Sequence, residues 1–369
     1  MNPVPVQAAP ALPHRLERSV VEAPPSPESV RLRYLELRSQ RPPMRARDIA
    51  AGLGLREAQL VAALCGNEAV RLDDRLSEQL DALCALGPVM ALTRNAAAVI
   101  EKDGTYGRFE HFGHASQCVG EAIDLRLFPR SFHSAFAVTE SGRHGLMRSL
   151  QYFDPYGDAV HKIYLREASD LAAFEALVAR HVRPAQENTL SVAPLPEAEA
   201  PRPRESIDEA GFVSAFRAMQ DTHEFFGLLR RFELPRQQAL HLLPEELACR
   251  TTPAALRRLL HGAATLGLPI MVFVGSRGVV QIHTGPVENI KPVGAWLNVM
   301  DRGFNLHIDE GLLAEAWRVR KPTADGLVSS LEVYDTAGQL ALSLFGRRKP
   351  GSAESPAWRQ LLDSALAPS

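Results

Sequence analysis

The chain has 369 residues, of which 46% are hydrophobic and 23% are charged, an ordinary globular composition for about two domains. The formal net charge is −2, so no global field attracts nucleic acid or an anionic membrane, and an anionic ligand needs a local basic patch. The four cysteines form no C-x-x-C pair, which argues against a zinc knuckle or an iron–sulfur site.

Residues 1–28 are predicted to form a disordered leader, because they carry seven prolines and little apolar content. No long apolar run follows a basic start, so we expect no signal peptide. No stretch reaches the roughly 20 apolar residues of a membrane helix. Free thiols suit a reducing compartment, and together these features predict a cytoplasmic protein without membrane insertion.

A second proline-rich segment divides the chain. Residues 183–205 carry five prolines and no aromatic residue, a composition typical of an extended linker. The sequence therefore predicts an N-terminal body over residues 29–182 and a C-terminal body over residues 206–369.

The two bodies are predicted to be copies of one unit. A single offset of 181 residues relates three pairs: Leu150 and Leu331, Gly157 and Gly338, and Arg126 and His307. Matches at one offset, without a gap, indicate an internal duplication. We expect residues 60–165 and 241–346 to share one strand order, with Arg126 and His307 at equivalent positions.

Each copy is predicted to begin with helices and to continue with strands. The helical patterns cover residues 31–42, 45–53 and 55–66 in the first copy, and 205–232 and 235–243 in the second. Hairpins are predicted over residues 270–285, 296–308 and 330–345, each with glycine in its turn. Hairpins without intervening helices pair antiparallel, so the predicted class is α+β.

His223 is the first candidate for a functional residue. An apolar stripe with spacings of 4, 3, 4 and 3 predicts one helix face that includes it: Phe212, Phe216, Met219, His223 and Phe226. Two interpretations stay open, a histidine packed in the core and a neutral imidazole that binds iron beside an apolar wall. In the second case Asp221 or Glu224 would orient the other ring nitrogen.

Arg126 is the second candidate. Strand alternation places Asp124, Arg126 and Phe128 on one face and the apolar residues between them on the other. The polar face is either a solvated surface with an Asp–Arg pair or a guanidinium that faces a ligand beside an aromatic ring.

Several basic residues are interpreted as solvated surface unless they converge on one anionic group: Arg236, Arg320, Lys321, Arg347, Arg348 and Lys349. Replacing Arg236, Lys321 and Arg348 together by Ala is expected to leave the fold intact, because lone surface charges add little stability.

Two further motifs suggest other functions. Residues 46–64 imitate a helix-turn-helix, but the would-be recognition helix offers only Arg56, Glu57 and Gln59 to DNA. His111 and His114 lack the H-E-x-x-H order and a third ligand, so ordinary surface or strand histidines are expected.

Five segments resemble the cytoplasmic haem-uptake proteins of Gram-negative bacteria, the HemS/HmuS/ChuS group. The resemblance extends from about residue 30 to residue 365 and rests on residues 47–50, 122–128, 219–240, 270–288 and 314–332. The D-x-H-x-F-F block at Asp221 and the R-K-P-T-x-D-G block at Arg320 are its specific motifs.

The resemblance implies two structurally repeated halves, each a large antiparallel β-sheet with flanking helices, with haem (iron protoporphyrin IX) bound between them. By the same resemblance His223 is the axial ligand of the iron, and Arg126 is a distal residue with Phe128 nearby. The residues that would hold the haem propionates are Arg236, Lys321 and Arg348.

The sequence departs from this family at two positions. Phe345 replaces a pocket tyrosine of some relatives, which removes a hydroxyl group. Pro129 follows Phe128 where relatives usually have leucine, and is expected to bend or end that strand.

The resemblance leaves two functions open. The protein is either a haem carrier, with a haem oxygenase or a haem ABC transporter as partner, or an enzyme that opens the porphyrin ring with an external reductant, in which case Arg126 would be catalytic. A helix-turn-helix regulator is the third hypothesis, although the charge balance argues against nucleic acid.

Overall fold

The computed structural model describes residues 25–40, 44–142, 145–197, 200–348 and 351–366. Residues 1–24 of the predicted leader lie outside the described residues. A helix begins at Pro27, and its first turn is capped by the Ser26 hydroxyl. The described chain divides into two units. Unit 1 contains the residues up to Thr93, Asp103–Leu195 and Ser276–Val279, and unit 2 contains Arg94–Lys102, Pro196–Gly275 and the residues from Val280 onward.

The first half of the sequence forms five helices and nine strands in its described residues. They are α1 (Pro27–Ser39), α2 (Ala46–Gly52), α3 (Glu57–Ala63), β1 (Ala69–Arg71), α4 (Leu76–Ala82), β2 (Val89–Arg94), β3 (Ala98–Gly104), β4 (Phe109–His111), β5 (Ser116–Val119), β6 (Asp124–Leu127), β7 (Ser134–Gly142), β8 (Gly145–Phe153), β9 (Ala159–Leu165) and α5 (Leu171–His181).

The described part of the second half repeats this series. Its elements are α6 (Glu209–Arg217), α7 (Glu224–Phe232), α8 (Arg236–Leu242), β10 (Ala248–Thr251), α9 (Ala254–Leu266), β11 (Ile270–Gly275), β12 (Val279–Gly285), β13 (Ile290–Val293), β14 (Trp296–Asp301), β15 (Phe304–Asp309), β16 (Leu313–Thr323), β17 (Gly326–Asp335), β18 (Leu340–Gly346) and α10 (Pro356–Leu366). Among the described residues, no helix is both long and apolar enough to cross a bilayer.

The strands form two nine-stranded antiparallel sheets, which confirms the predicted α+β class. One sheet has the order β1-β7-β8-β9-β2-β3-β15-β14-β13, and the other has the order β10-β16-β17-β18-β11-β12-β6-β5-β4. The three predicted hairpins are present as β11–β12, β14–β15 and β17–β18.

The internal duplication is confirmed strand by strand. The bounds of β2 and β11, of β3 and β12, and of β9 and β18 differ by the same 181 residues, and the two sheet orders correspond throughout. Arg126 pairs with Gln117 on β5, and His307 pairs with Asn298 on β14, so the two residues hold equivalent positions.

Alternation of side chains decides which face of each strand is buried. On β6 the side chains of Ile123, Leu125 and Leu127 are fully buried, whereas Asp124 and Arg126 are half-buried on the other face. The strand ends at Leu127, and Pro129 opens a short 3₁₀ helix, as its fixed backbone angle predicts.

The prediction of one helical stripe through His223 is wrong. Residues 209–232 form two helices, α6 and α7, separated by a turn, and only Phe212, Phe216 and Met219 of the stripe are buried. The turn arises because the Asp221 carboxylate accepts the backbone N–H of His223 at 2.7 Å, which competes with continuation of α6. His223 is therefore not a core residue.

The predicted linker packs instead of running free. The Gln186 carboxamide bonds the backbone N–H and carbonyl of Arg71, and the backbone N–H of Ala193 donates to Pro155. Residues 183–195 belong to unit 1 because these bonds satisfy backbone groups along the segment.

The helix-turn-helix prediction fails because its second helix is buried. Six of the seven residues of α3 are buried, and Glu57 forms an ion pair with Lys162 at 2.6 Å. Arg56 binds Asp158, and Gln59 donates to the carbonyl of Leu190. None of the three candidate DNA-contacting side chains is available to a base.

Gly346 allows the last strand to pass under Trp358. A Cβ atom at position 346 would lie 2.5 Å from Cγ of Trp358, a fully buried ring whose Nε1 donates to the Ser329 carbonyl at 3.0 Å. We expect Gly346→Ala to lower the free energy of unfolding by about 1–3 kcal/mol, measured by urea denaturation. Gly52→Ala is the control, since nothing lies within 4 Å of its Cβ position; equal stability of the two variants would contradict the close packing.

Candidate ligand-binding site in unit 2

His223 lies at the start of α7 with its side chain 88% exposed. Its Nδ1 is 2.6 Å from Oδ1 of Asp221, whereas the Glu224 carboxylate accepts the backbone N–H of Gln220. Asp221 is thus the residue that orients the ring. With Nδ1 donating to Asp221, Nε2 carries the lone pair that can bind a metal.

Asp221 is held in its charged form. The backbone N–H of His223 lowers the pKa of Asp221, and the imidazole and the positive charge of Arg348 lower it further. Arg348 is half-buried, and its Nη1 is buried without a hydrogen-bond partner among the described residues. An unpaired guanidinium N–H group whose charge acts on Asp221 is suited to a carboxylate ligand.

A second guanidinium, that of Arg236, packs against aromatic rings of α7. Phe226 is 60% exposed, and Phe225 beside it is buried. The Arg236 guanidinium carbon lies 5.4 Å from the centroid of Phe226 and 5.1 Å from that of Phe225, within the range of cation–π attraction. The start of α7 therefore presents an imidazole and an apolar ring to solvent, with an arginine against that ring.

Glu332 on β17 fixes the positions of two of the predicted basic residues. Its fully buried carboxylate accepts from Nη2 of Arg236 at 2.7 Å and from Nζ of Lys321 at 2.8 Å. The Tyr334 hydroxyl also donates to it at 2.8 Å. A buried carboxylate needs such partners because its desolvation alone costs several kcal/mol.

The charges in this cluster stabilise one another. Burial alone would raise the pKa of Glu332, but Arg236 and Lys321 hold it well below its usual range. Burial lowers the pKa of Lys321, and Glu332 opposes that shift. The expectation that these basic residues are lone surface charges is therefore wrong for Arg236 and Lys321, because Glu332 draws both to the sheet.

The remaining basic residues do not share this cluster. Arg320 binds Asp363 at 2.8 Å, and Arg347 is exposed. Lys349 lies outside the described residues.

Phe345 lies on the face of β18 that also carries Ser343. Its ring meets Phe273 of β11 edge to face at 5.1 Å between centroids, and both side chains are half-buried. The adjacent residue Leu344 points to the opposite, fully buried face. Phe345 thus contributes an accessible aromatic surface in unit 2, without the hydroxyl group of a tyrosine.

Arg126 and Phe128 belong to unit 1. Arg126 pairs with Asp124 and donates to the Leu125 carbonyl at 3.0 Å, with 38% of its side chain exposed. Phe128 is 41% exposed. The Asp–Arg pair of the surface interpretation is present, and a ligand role for Arg126 stays a prediction.

His111 and His114 are exposed histidines on and after strand β4, as expected for surface or strand residues. His111 is bonded to Ser116 and Asp81, and His114 is exposed. In the part of the chain that the structure describes, no group of three histidine, cysteine or acidic residues is arranged to hold a metal ion.

Sequence reasoning missed Glu332 and the exposure of His223. The Asp221–Thr222–His223–Glu224 segment is a D-x-x-E helix start, a signal that would have placed His223 at a helix terminus. Glu332 offered a weaker signal, a charged residue inside an otherwise apolar strand. Its partner Arg236 is distant in sequence, and Lys321 lies on the neighbouring strand β16, where only the strand register shows that the two side chains meet.

The fold defines a duplicated α+β protein, and unit 2 presents an exposed imidazole beside an exposed aromatic ring. Residues 54–181 and 233–365 each match the haemin-degrading HemS/ChuX domain, and the chain belongs to this family. The two matched segments coincide with the two copies, and His223 lies in the interval between them.

Relatives of known description align along most of the chain. It is 42% identical to the hemin transport protein HmuS of Yersinia pestis over 328 residues, which are 89% of this chain and 94% of that protein. The structure of holo-PhuS, a heme-binding protein of Pseudomonas aeruginosa, matches with a TM-score of 0.89 and 44% identity, covering 92% and 99% of the two chains. The heme degrading enzyme ChuS of Escherichia coli O157:H7 matches with a TM-score of 0.86 and 39% identity, covering 93% and 100%.

Because of the Glu332 cluster, Lys321 and Arg348 are expected to contribute differently to the free energy of unfolding. Lys321→Ala should lower the free energy of unfolding by about 3–5 kcal/mol, because it removes one partner of a buried charge. Arg348→Ala should change it by less than about 0.5 kcal/mol, since no ion pair is lost. Urea denaturation measures both. Similar stability of the two variants would mean that the Lys321–Glu332 contact contributes nothing.

Proposed function

We propose that this chain is a cytoplasmic haem-binding protein of a bacterial haem-uptake system, with His223 as the axial ligand of the haem iron. The observation that carries the proposal is the exposed His223 ring, fixed through Nδ1 by Asp221 and bordered by the exposed ring of Phe226. Relatives described as hemin transport and heme-binding proteins support the same ligand. The free state of the cysteines suits a reducing compartment.

The residues present fit the chemistry of haem. Its iron takes a neutral imidazole, and a negative Asp221 makes the imidazole a stronger donor while fixing the tautomer that frees Nε2. Its apolar faces suit aromatic surfaces such as Phe226 and Phe345. Its propionates require cations, and among the described residues the unpaired Nη1 of Arg348 is a ready donor.

Arg236 and Lys321 have different proposed roles in propionate binding. Arg236 uses Nε and Nη2 for Glu332, which leaves Nη1 for a ligand. Lys321 is only 5% exposed and is committed to Glu332. We propose that Lys321 does not contact the propionate itself. It balances the Glu332 charge, so that the Arg236 guanidinium can still donate to a propionate.

His223→Ala should abolish the wild-type axial ligation of the haem iron and shift the Soret band. Because the side chain is 88% exposed, the free energy of unfolding should change by less than about 0.5 kcal/mol. Absorption spectra of the haem-loaded variant and urea denaturation of the haem-free variant test the two statements. Added imidazole should restore the spectrum, since it can occupy the vacated coordination position.

The matched control is His241→Ala, which removes a second half-exposed histidine of unit 2. It should leave the spectrum unchanged, as should His307→Ala, whose ring is bonded to Asn298. An unaltered Soret band in His223→Ala, with both controls also unaltered, would remove His223 from the ligand role.

The second candidate function is enzymatic ring opening, favoured by the 39% identity to ChuS. For a carrier we expect haem-loaded protein given ascorbate or an NADPH-dependent reductase, with catalase present, to keep its Soret band. Haem should then pass to an added haem oxygenase. Formation of an open-chain tetrapyrrole without that partner would establish the enzyme instead.

In the enzymatic case the distal role predicted for Arg126 becomes testable. Arg126→Ala should slow ring opening by about 10–100-fold if its charge assists the reaction, with haem affinity nearly unchanged. Arg130→Ala is the control, a nearby arginine without a proposed role. Equal rates in the two variants would mean that the Arg126 charge does not assist ring opening.

A further inference from the structure

Unit 1 contains a cavity that the haem proposal does not use. It has a volume of about 400 Å³, within the range of about 300–1,000 Å³ typical of small-molecule sites. It is lined by the segment from Asp73 to Gln79, which includes the start of α4, and by Pro129, residues 132–135 and Tyr152 of β8.

Three polar side chains lining this cavity have atoms that are buried and unpaired. They are Oε1 of Gln79, Oγ of Ser134 and the hydroxyl of Tyr152, which have no hydrogen-bond partner among the described residues. Gln79 and Tyr152 are each only 1% exposed. Buried polar groups are almost always paired, and leaving one unpaired costs about 1–3 kcal/mol. Their convergence on one cavity points to a ligand.

The duplication provides an internal comparison for Tyr152. Tyr152 pairs with Ala135 in the β7–β8 register, and Val333 pairs with Ala316 at the equivalent position of β16–β17. Val333 is fully buried in the apolar core of unit 2. The fold therefore accepts an aliphatic residue at this position, and the Tyr152 hydroxyl is not required by the sheet.

The charge around the cavity favours a cation. Three carboxylates line it, those of Asp73, Asp74 and Glu78, together with the guanidinium of Arg75 and the ring of His133. Glu78 also pairs with Arg180 at 2.7 Å, and Asp73 is bonded to His181 at 3.1 Å. Arg75 is already bound to Asp73 at 2.6 Å and faces Glu78 at 3.4 Å. Asp74 is exposed and has no ion pair among the described residues, so its charge is available to a ligand.

The inner part of the cavity is suited to a flat apolar group. The ring of Phe132 meets Tyr152 edge to face at 5.8 Å between centroids, and Leu76, Pro129 and Ala135 add apolar surface. Gln79 Oε1 is a carbonyl oxygen and can only accept hydrogen bonds, while Nε2 of the same side chain already donates to Asp73 at 2.9 and 3.1 Å. The ligand must therefore supply N–H or O–H donors.

We propose that this cavity is a binding site for a small organic cation that carries N–H donors on a flat apolar body. Gln79 and the hydroxyl groups of Tyr152 and Ser134 accept or share its hydrogen bonds, Phe132 packs against its body, and Asp74 supplies the opposite charge. The site lies in unit 1 and is independent of the His223 site in unit 2.

The test uses the full-length, haem-free protein with benzamidine as the cationic probe. Isothermal titration should detect benzamidine binding, with benzyl alcohol weaker and benzoate weakest, because the acidic wall repels an anion. Haem-loaded protein should bind benzamidine equally well, which separates this site from the haem proposal.

Tyr152→Phe is the decisive variant, because it removes the hydroxyl and preserves the ring. It should weaken benzamidine binding by about tenfold or more, while the thermal midpoint without probe stays equal or rises, since an unpaired buried group is lost. Gln79→Leu should weaken binding as well, although it also removes bonds to Asp73. Tyr156→Phe, outside the cavity lining, should bind like wild type.

Three results would overturn the proposal. The first is the absence of benzamidine binding at millimolar concentration, and the second is equal affinity of wild type and Tyr152→Phe. The third is benzoate binding as tight as benzamidine binding. A clear fall in the thermal midpoint of Tyr152→Phe with unchanged binding would mean that the hydroxyl is paired with structural water alone.

Discussion

The buried Glu332 carboxylate is the interaction on which the proposed haem-binding surface of unit 2 depends. It draws Arg236 from α8 and Lys321 from β16 to the same point of β17, and Arg236 in turn rests on the aromatic rings of α7. Removing the carboxylate would leave two cations without a counter-charge in a poorly solvated place. The helix that bears His223 is thereby linked to the sheet by charge as well as by apolar packing.

A single turn separates helix α6 from the exposed His223 at the start of α7. The aromatic side chains of α6 fill the core, the helix ends at Arg217, and in the turn that follows the Asp221 carboxylate accepts the backbone N–H of His223. The same oxygen, Oδ1 of Asp221, also orients the imidazole at the start of α7. Asp221 therefore both bonds the backbone of the turn and sets the orientation of the His223 ring.

The two copies share one strand order but carry different side chains at equivalent positions. The positions equivalent to Glu332, Lys321 and Tyr334 are Gln151, Glu140 and Phe153, so the cation-holding cluster exists in unit 2 alone. Unit 1 instead places Tyr152 where unit 2 has Val333. Strand pairing tolerates such exchanges because the ladder uses backbone groups, while each face is free to specialise.

The sequence by itself determined the class, the duplication and the hairpins, because alternation, glycine turns and the 181-residue offset are local or periodic signals. It also determined the family through the D-x-H-x-F-F and R-K-P-T-x-D-G blocks. Only the tertiary structure decided that His223 is exposed, that residues 183–195 pack on unit 1, and that Arg236 and Lys321 meet at Glu332. The Arg236 contact and the packing of residues 183–195 join positions that are distant in sequence, which no periodic pattern records, whereas the exposure of His223 follows from the non-helical turn at Asp221.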